Sequence, residues 1–507
     1  MQQEIYYRPE WTCGRYIHEK RAAICYNLIE GMSYFFDEDS AEIIGAILAV
    51  PRNGAISVQG IANLTNTAMS SLRPFLNELC RMNLLTVDIP SQKGIANYRE
   101  GVSQWRRNQS VSTEKTTEEK LPMAVTNAEM TYGERVGGVF SVMFELTYNC
   151  SEKCIHCYNI GATRNDEEQS HRADTTLLTI DDYKRIIDQL YDEGLVKACL
   201  SGGDPFSNPL AWEIIQYLYD KEVVIDIYTN GQRIVKDVER LASYYPRTVG
   251  ISIYSSDAQV HDYITRISGS WERSMEVLNR LTELAVPLYV KCCVMRPNFK
   301  SYRGVGEIAR NLGAQPQFEI NLTDSIEGDK CVSRYLRLTP EQYEIVFRDD
   351  NIPMYVGPEA PQYGSAKRGM SQNACGSADF SFCVTPDGQL IPCCSFHKEF
   401  GSLRELSVKE ALQSPDLAKW RKTTLADYEE CGRYDYCDYC NLCPGLAQSE
   451  HGNYLKASEN CCYVAKIRHS LAMRMMNDGY DPLHGKTLED CINDFPDYIP
   501  QQIKRTF

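Results

Sequence analysis

Three cysteines fall within eight residues, Cys150, Cys154 and Cys157, in the run Leu-Thr-Tyr-Asn-Cys-Ser-Glu-Lys-Cys-Ile-His-Cys-Tyr. Thiolates are soft ligands that favour iron–sulfur clusters and zinc. A four-iron cluster ordinarily takes four protein thiolates, so three on one tight loop leave one iron open to a small chelating ligand. A zinc site would need a fourth Cys or His nearby. His156, between Cys154 and Cys157, is sterically poor for that task. The competing reading is three buried apolar cysteines.

A second field runs from Cys375 to Cys462, ten cysteines in 88 residues. Its first part is Cys375-x7-Cys383-x9-Cys393 followed by Cys394, with Pro386-Asp387-Gly388 supplying a hairpin turn. Its second part is Cys431-x5-Cys437-x2-Cys440-x2-Cys443-Pro-Gly, with Cys461 and Cys462 beyond. No apolar run reaches the ~18–20 residues that span a bilayer, and the start Met-Gln-Gln-Glu-Ile is unlike a signal peptide. The expected setting is the cytoplasm, where disulfides are rare, so metal ligation is the better account of 21 cysteines. A zinc ribbon is the structural rival, since C-x2-C pairs also serve zinc.

The elements that must position these residues are read from the rest of the chain. At 507 residues it is too long for one core. With 43% hydrophobic and 24% charged residues it has the composition of a globular protein. A net charge of −15 argues against non-specific binding to a nucleic-acid backbone. From Val139 to about Thr323 strands and helices alternate. Six strand candidates stand at Val139–Leu146, Val196–Leu200, Val223–Tyr228, Val249–Tyr254, Pro287–Val294 and Gln317–Leu322, with helices such as Ile180–Glu193 and Ser274–Leu284 between them. Repeated βα units imply parallel strands with right-handed crossovers, and in such folds the chemistry sits at the C-terminal strand ends. The cysteine loop follows the first strand. Leu200-Ser-Gly202-Gly203-Asp204-Pro ends the second; its glycines admit close backbone approach to a ligand, and the Asp204 carboxylate suits a ligand's ammonium. Thr229-Asn230-Gly231 ends the third. Cys292 and Cys293 lie in a strongly apolar strand and read as core.

The first hundred residues form a separate unit. Ala23 to Phe36 reads as two strands around a turn, Ser40 to Leu48 as a helix capped by Ser40, and Ser57 to Leu64 as a short helix. Met69 to Met82 is an amphipathic helix with Leu72, Phe75, Leu76, Leu79 and Cys80 on one face. Leu84 to Val87 closes as a strand. Small helices followed by a strand are the pattern of a winged helix. DNA binding and capture of a peptide by strand addition both suit that shape, but the Met69–Met82 helix offers only Arg73 and Arg81 as bases. Asn108 to Lys120, rich in Ser, Thr, Glu and Lys, reads as a flexible linker.

The cysteine loop resembles the C-x3-C-x-aromatic-C motif of radical S-adenosylmethionine (SAM) enzymes, with His156 in the aromatic slot. That resemblance implies a partial (β/α)6 barrel, a 4Fe–4S cluster on Cys150, Cys154 and Cys157, and SAM chelated by the open iron and cleaved to a deoxyadenosyl radical. Gly202-Gly203-Asp204-Pro resembles the family's G-G-E-P motif, with Asp for Glu. Ser252 and Arg266 match positions that contact SAM. The second field resembles the SPASM domain through Cys375-x12-Gly388-x4-Cys393 and the Cys443-Pro-Gly turn. By position, Cys375, Cys383, Cys393 and Cys443 would hold one auxiliary 4Fe–4S cluster, and Cys431, Cys437, Cys440 and Cys461 a second. Tyr434 stands where the family has a cysteine, so Cys437 is a substitute, or the second cluster has an open site or is missing; Cys462 is an alternative to Cys461. Sulfatase-maturing members carry an aspartate base where this chain has Cys394.

The first unit resembles the winged-helix domain that grips a leader sequence in maturases of ribosomally made peptides. The expected organisation is a winged-helix-like peptide-recognition domain (1–105), a flexible linker (106–138), the radical SAM barrel (139–345), a connection (346–372), the SPASM domain (373–470) and a C-terminal tail (471–507). The resemblance implies a maturase that removes a hydrogen from a ribosomal precursor peptide and forms a cross-link, foremost a Cys thioether. Carbon–carbon cyclophane cross-linking and formylglycine formation in anaerobic sulfatase maturation are the alternatives, and a zinc-bearing winged-helix DNA-binding regulator is the non-enzymatic one. Its partners would be the precursor peptide, its leader on the first domain, and an electron donor such as flavodoxin or ferredoxin, with no nucleic acid and no membrane.

Overall fold

A computed structural model of the chain describes residues 4–111, 126–159, 177–325, 331–352, 354, 356 and 369–499. The N-terminal unit pairs β1 (Ile5–Tyr7) with β5 (Ala55–Ser57), and sets β2 (Thr12–Ile17), β3 (Ala22–Asn27) and β4 (Met32–Asp37) in an antiparallel sheet with β3 at its centre. All six residues of β3 are buried. Because successive side chains of a strand point to opposite faces, Ala23 and Cys25 join one core with the helices Glu38–Leu48, Val58–Thr65 and Met69–Arg81. Ala22, Ile24 and Tyr26 join a second core with Tyr132, Phe140, Val196 and Val224. The second core docks the N-terminal unit onto the central part of the chain.

Three expectations for this region are corrected. The helix Glu38–Leu48 is capped by Asp37, and Ser40 is the N3 partner whose hydroxyl answers the Asp37 backbone. Leu84 to Val87 contributes only a single bridge, Thr86 to Tyr7. The linker is interrupted by structure: the helix Gln92–Val111 crosses residue 105, and the helix Asn127–Val136 lies beyond it. Arg106 donates to the carbonyls of Ala285 and Ile29. Residues 112–125 lie outside the described part.

Next come β6 (Ser141–Glu145), β7 (Lys197–Ser201), β8 (Val224–Thr229), β9 (Thr248–Ser252), β10 (Leu288–Cys293) and β11 (Gln315–Glu319). They form one parallel sheet in sequence order, each beside its predecessor. The expectation of six parallel strands alternating with helices is met. Each strand turns apolar residues outward, among them Phe144, Leu200, Ile227, Ile251 and Val290, into the core beneath the helices. The alternate residues face the barrel interior, so Glu145, Cys199, Tyr228, Lys291 and Cys293 share that side. Cys292 packs in the outer core as expected, and Cys293 does not.

The Cys-rich unit continues this sheet. β12 (Ser381–Val384) pairs in parallel with β6, Cys383 opposite Met143, and turns at Asp387-Gly388 into β13 (Gln389–Ile391), which pairs with β14 (Gly401–Ser402). Gly388 takes a φ of 91° at that turn, a value side chains resist. One core runs from Val139 through the barrel to Ile492. The helix Glu459–Asp478 crosses the expected boundary at 470 and unites the two sides of it. Among the described residues no helix is long and apolar enough to cross a membrane.

The barrel floor is a buried ion network. Glu129 accepts from the Tyr26 hydroxyl at 2.9 Å and from Lys197 at 3.1 Å, with Arg247 at 3.8 Å. Arg247 clamps both oxygens of Asp226. Glu129 also closes the capping box of its own helix with Thr126. Removing one partner of a buried network leaves the others charged in low dielectric, at a cost of about 3–5 kcal/mol. Glu129→Ala is therefore expected to lower the stability read from denaturant unfolding by about that amount, and Glu129→Gln by less; a loss below about 1 kcal/mol in Glu129→Ala would show that the floor does not depend on the carboxylate.

Candidate functional site

The loop of Cys150, Cys154 and Cys157 leaves β6 at the rim where β7, β8 and β9 also end. Three neighbours pin the loop. From the β7 turn, Gly203 N donates to Thr147 O at 2.6 Å and Asp204 N to Asn149 O at 3.0 Å. From the β8 end, Asn230 Nδ2 donates to Cys150 Sγ at 3.3 Å and to Ser151 Oγ at 3.4 Å. From the helix Ala258–Thr265 the carbonyls of Thr265 and Ile264 accept Lys153 N and Ile155 N, both at 2.9 Å. The glycines are needed for contact with the loop itself: a Cβ on Gly203 would stand 2.4 Å from Asn149 O, and one on Gly202 2.3 Å from Thr147 O.

The other expected residues take these places. Asp204 is fully buried; its Oδ1 takes the Thr229 hydroxyl, and its Oδ2 makes no hydrogen bond. His156 stands edge-on to Tyr254, ring centroids 4.6 Å apart. Tyr254 in turn stacks on His261 and hydrogen-bonds Ser252 at the end of β9. His156 is thus held as an aromatic contact. Arg266 is exposed and caps the helix whose last carbonyls receive the loop, with φ 59°. Glu152, inside the loop, is a residue sequence reasoning missed. It accepts the Cys154 thiol at 3.6 Å, and burial pushes its carboxyl up to about 8.

The second field forms two adjoining groups. Cys393 lies beside Cys443 and Cys375, and Cys383 beside Cys393. Gly445 of the Cys443-Pro-Gly turn lets that turn close on Ser395, whose carbonyl a Cβ would meet at 2.1 Å. In the other group burial and the neighbouring thiols Cys462, Cys437 and Cys461 push Cys431 up to about 12. Cys440 hydrogen-bonds Cys461, and the buried guanidinium of Arg468 stands beside Cys440. Tyr434 is 49% exposed and stacks on Tyr436, ring centroids 5.2 Å apart, and Cys437 lies beside Cys431. Among the described residues no three Cys, His, Asp or Glu side chains close on a point as ligands of a single metal ion do.

The two fields meet at the barrel rim. Tyr158, the residue after Cys157, hydrogen-bonds Cys394, the residue after Cys393. Glu145 accepts the Tyr148 hydroxyl at 3.1 Å and the Cys383 thiol, and burial pushes it up to about 7. Glu145, Tyr158 and Lys291 were likewise not singled out by sequence; for Glu145 and Lys291 the available signal was a polar residue at an inward position of an otherwise apolar strand. Thiol groups beside a buried guanidinium, a glycine cradle under the loop and an orphaned carboxylate oxygen at the rim fit soft, anionic clusters and a small ammonium-bearing ligand.

Comparison with known proteins agrees. Residues 144–300 match the radical SAM superfamily, and residues 375–444 match SPASM, an iron–sulfur cluster-binding domain. The chain is a radical SAM enzyme with a C-terminal SPASM domain, and its cofactors are SAM, the radical SAM 4Fe–4S cluster and auxiliary clusters. Among its relatives is the antilisterial bacteriocin subtilosin biosynthesis protein AlbA of Bacillus subtilis, 28% identical over 336 residues, 64% of this chain and 70% of that one. Another is the AdoMet-dependent heme synthase of Methanosarcina barkeri, 26% identical over 347 residues, 64% of this chain and 96% of that one. Among solved structures, native anSMEcpe with bound AdoMet shares the fold with a TM-score of 0.51 at 16% identity, covering 70% of this chain and 99% of that one.

Because Gly203 touches backbone that cannot yield, Gly203→Ala is expected to displace the loop. Iron per chain after anaerobic reconstitution should fall by about four with little change in thermal unfolding. Unchanged iron would show that the loop adapts.

Proposed function

We propose that the chain is a maturase of a ribosomal precursor peptide, cross-linking a cysteine sulfur to a carbon to give a thioether. One observation carries this reading: the Tyr158–Cys394 hydrogen bond joins the segment after Cys157 to the segment after Cys393, so an oxidising centre on the second field would stand beside the place where a substrate radical forms. Thioether formation removes one hydrogen from sulfur and one from carbon, and the electrons left over need such an acceptor. Cys150, Cys154 and Cys157 are assigned to the cluster that cleaves SAM, with Gly202, Gly203, Asp204, Ser252 and Arg266 around SAM. Cys375, Cys383, Cys393 and Cys443 are assigned to one auxiliary cluster, and Cys431, Cys437, Cys440 and Cys461 to a second.

The N-terminal unit would hold the leader by strand addition to β4, which among the described residues pairs on one side only and is half exposed. Similarity to a bacteriocin biosynthesis protein supports a peptide substrate. Cys394, where sulfatase-maturing enzymes carry a base, counts against formylglycine formation. A low-potential donor of the flavodoxin or ferredoxin kind would supply electrons.

The test is iron and sulfide per chain in the triple Cys150/Cys154/Cys157→Ala variant after anaerobic reconstitution. About eight of each are expected, two auxiliary clusters' worth. About four would remove the second cluster, and zinc in place of iron would overturn the reading.

A further inference from the structure

We propose that Lys291 is the proton acceptor for a substrate thiol inside the barrel, and that its ammonium then holds the thiolate. The inference rests on the thioether reading and names the group that prepares its sulfur.

Lys291 points inward from β10 between Val290 and Cys292, which are buried in the outer core. Its Nζ lies 3.4 Å from the centroid of the Tyr228 ring. Gly250 on β9 makes the room: a Cβ there would stand 2.7 Å from Tyr228 Cδ1 and 3.0 Å from Lys291 Cδ. The titratable groups facing Lys291 are Cys199 on β7, Asp226 and Tyr228 on β8, Cys293 on its own strand, Glu319 on β11 and Cys394 beyond β13. Neither carboxylate forms an ion pair with it among the described residues. Asp226 is clamped by Arg247 and takes the Thr248 hydroxyl at 3.0 Å. Glu319 accepts the backbone N–H groups of Ile320 at 2.9 Å and Asn321 at 2.7 Å. Among the described residues Lys291 therefore has an aromatic face and three thiols about it, and no ion pair.

Lys291 is largely enclosed and forms no ion pair, so its ammonium is costly, and burial lowers its proton affinity. In its neutral form the amine is a base. Its lone pair takes the proton of a substrate S–H: the N–H bond forms, the S–H bond breaks, and an ammonium–thiolate pair results with no change of oxidation state. The new charge on nitrogen meets the Tyr228 face, and the thiolate lies beside Cys394, one residue from Cys393.

The probe is N-acetylcysteine methylamide labelled with carbon-13 at Cβ, added to the reconstituted full-length chain. The carbon shift distinguishes thiol from thiolate, and calorimetry in buffers of different ionisation enthalpy counts protons released. For the wild type we expect bound thiolate near neutral pH, at least about tenfold above the free probe's fraction, with no proton released because Lys291 keeps it. Lys291→Met should return the probe to thiol. Lys291→Arg, a cation that is no base, should give thiolate with one proton released. Thiolate with proton release in the wild type would overturn the base role, and so would equal thiolate in Lys291→Met or none in the wild type. Tighter, Lys291-dependent binding of N-acetylaspartate methylamide would overturn the choice of thiol. Iron and sulfide in the same samples report separately on the thioether reading.

Discussion

β6 is hydrogen-bonded on both edges, to β7 within the barrel and to β12 from the Cys-rich unit. That pairing fixes the geometry of the whole rim. The first cysteine loop hangs from the end of β6, and Cys383 is held in register beside it, so two thiol fields more than two hundred residues apart in the chain share one frame. Side-chain contacts then build on the register: Glu145 reaches Cys383, and Tyr158 reaches Cys394. The common core from Val139 to Ile492 makes any movement between the fields costly, because interiors of this density do not deform smoothly.

The opposite end of the barrel is closed by charge. Glu129, Lys197, Arg247 and Asp226 satisfy one another where water does not reach, and Tyr26 brings the N-terminal sheet into the same network. Such a network adds little net stability over an apolar floor, yet it admits only one arrangement of sheet, helix and barrel. The chain thus has an ionic floor and a sulfur-rich rim, with Cys199, Tyr228 and Lys291 between them.

The strands were legible because each combines an apolar outer row with turn residues at its end, as in Val249–Ser252 and the Gly202-Gly203 turn. The cysteine fields were legible from spacing alone. The pairing of β12 with β6 was not, since a four-residue strand carries too little pattern to announce a partner 240 positions away. The helices Gln92–Val111 and Asn127–Val136 were hidden by polar exposed faces; what orders them is tertiary, through Ser103, Arg106 and Glu129 against barrel residues. Asp37 and Ser40 are both competent caps, and their reciprocal bonding shows why choosing between them by residue type fails. Lys291 looked like an ordinary charged residue in an apolar strand until its neighbours were in place.

The two-sided burial of β3 has a consequence for distance. A strand sandwiched between two cores cannot swing, so the N-terminal sheet stays at the floor while the cysteines stay at the rim. A barrel strand of five or six residues spans about 16–20 Å. A peptide held on that sheet must therefore cover the full height of the barrel wall before its first modifiable residue arrives, which takes at least about six extended residues. Under the proposed leader binding, the barrel wall would serve as a ruler, with the length of β6 setting the spacing within the substrate.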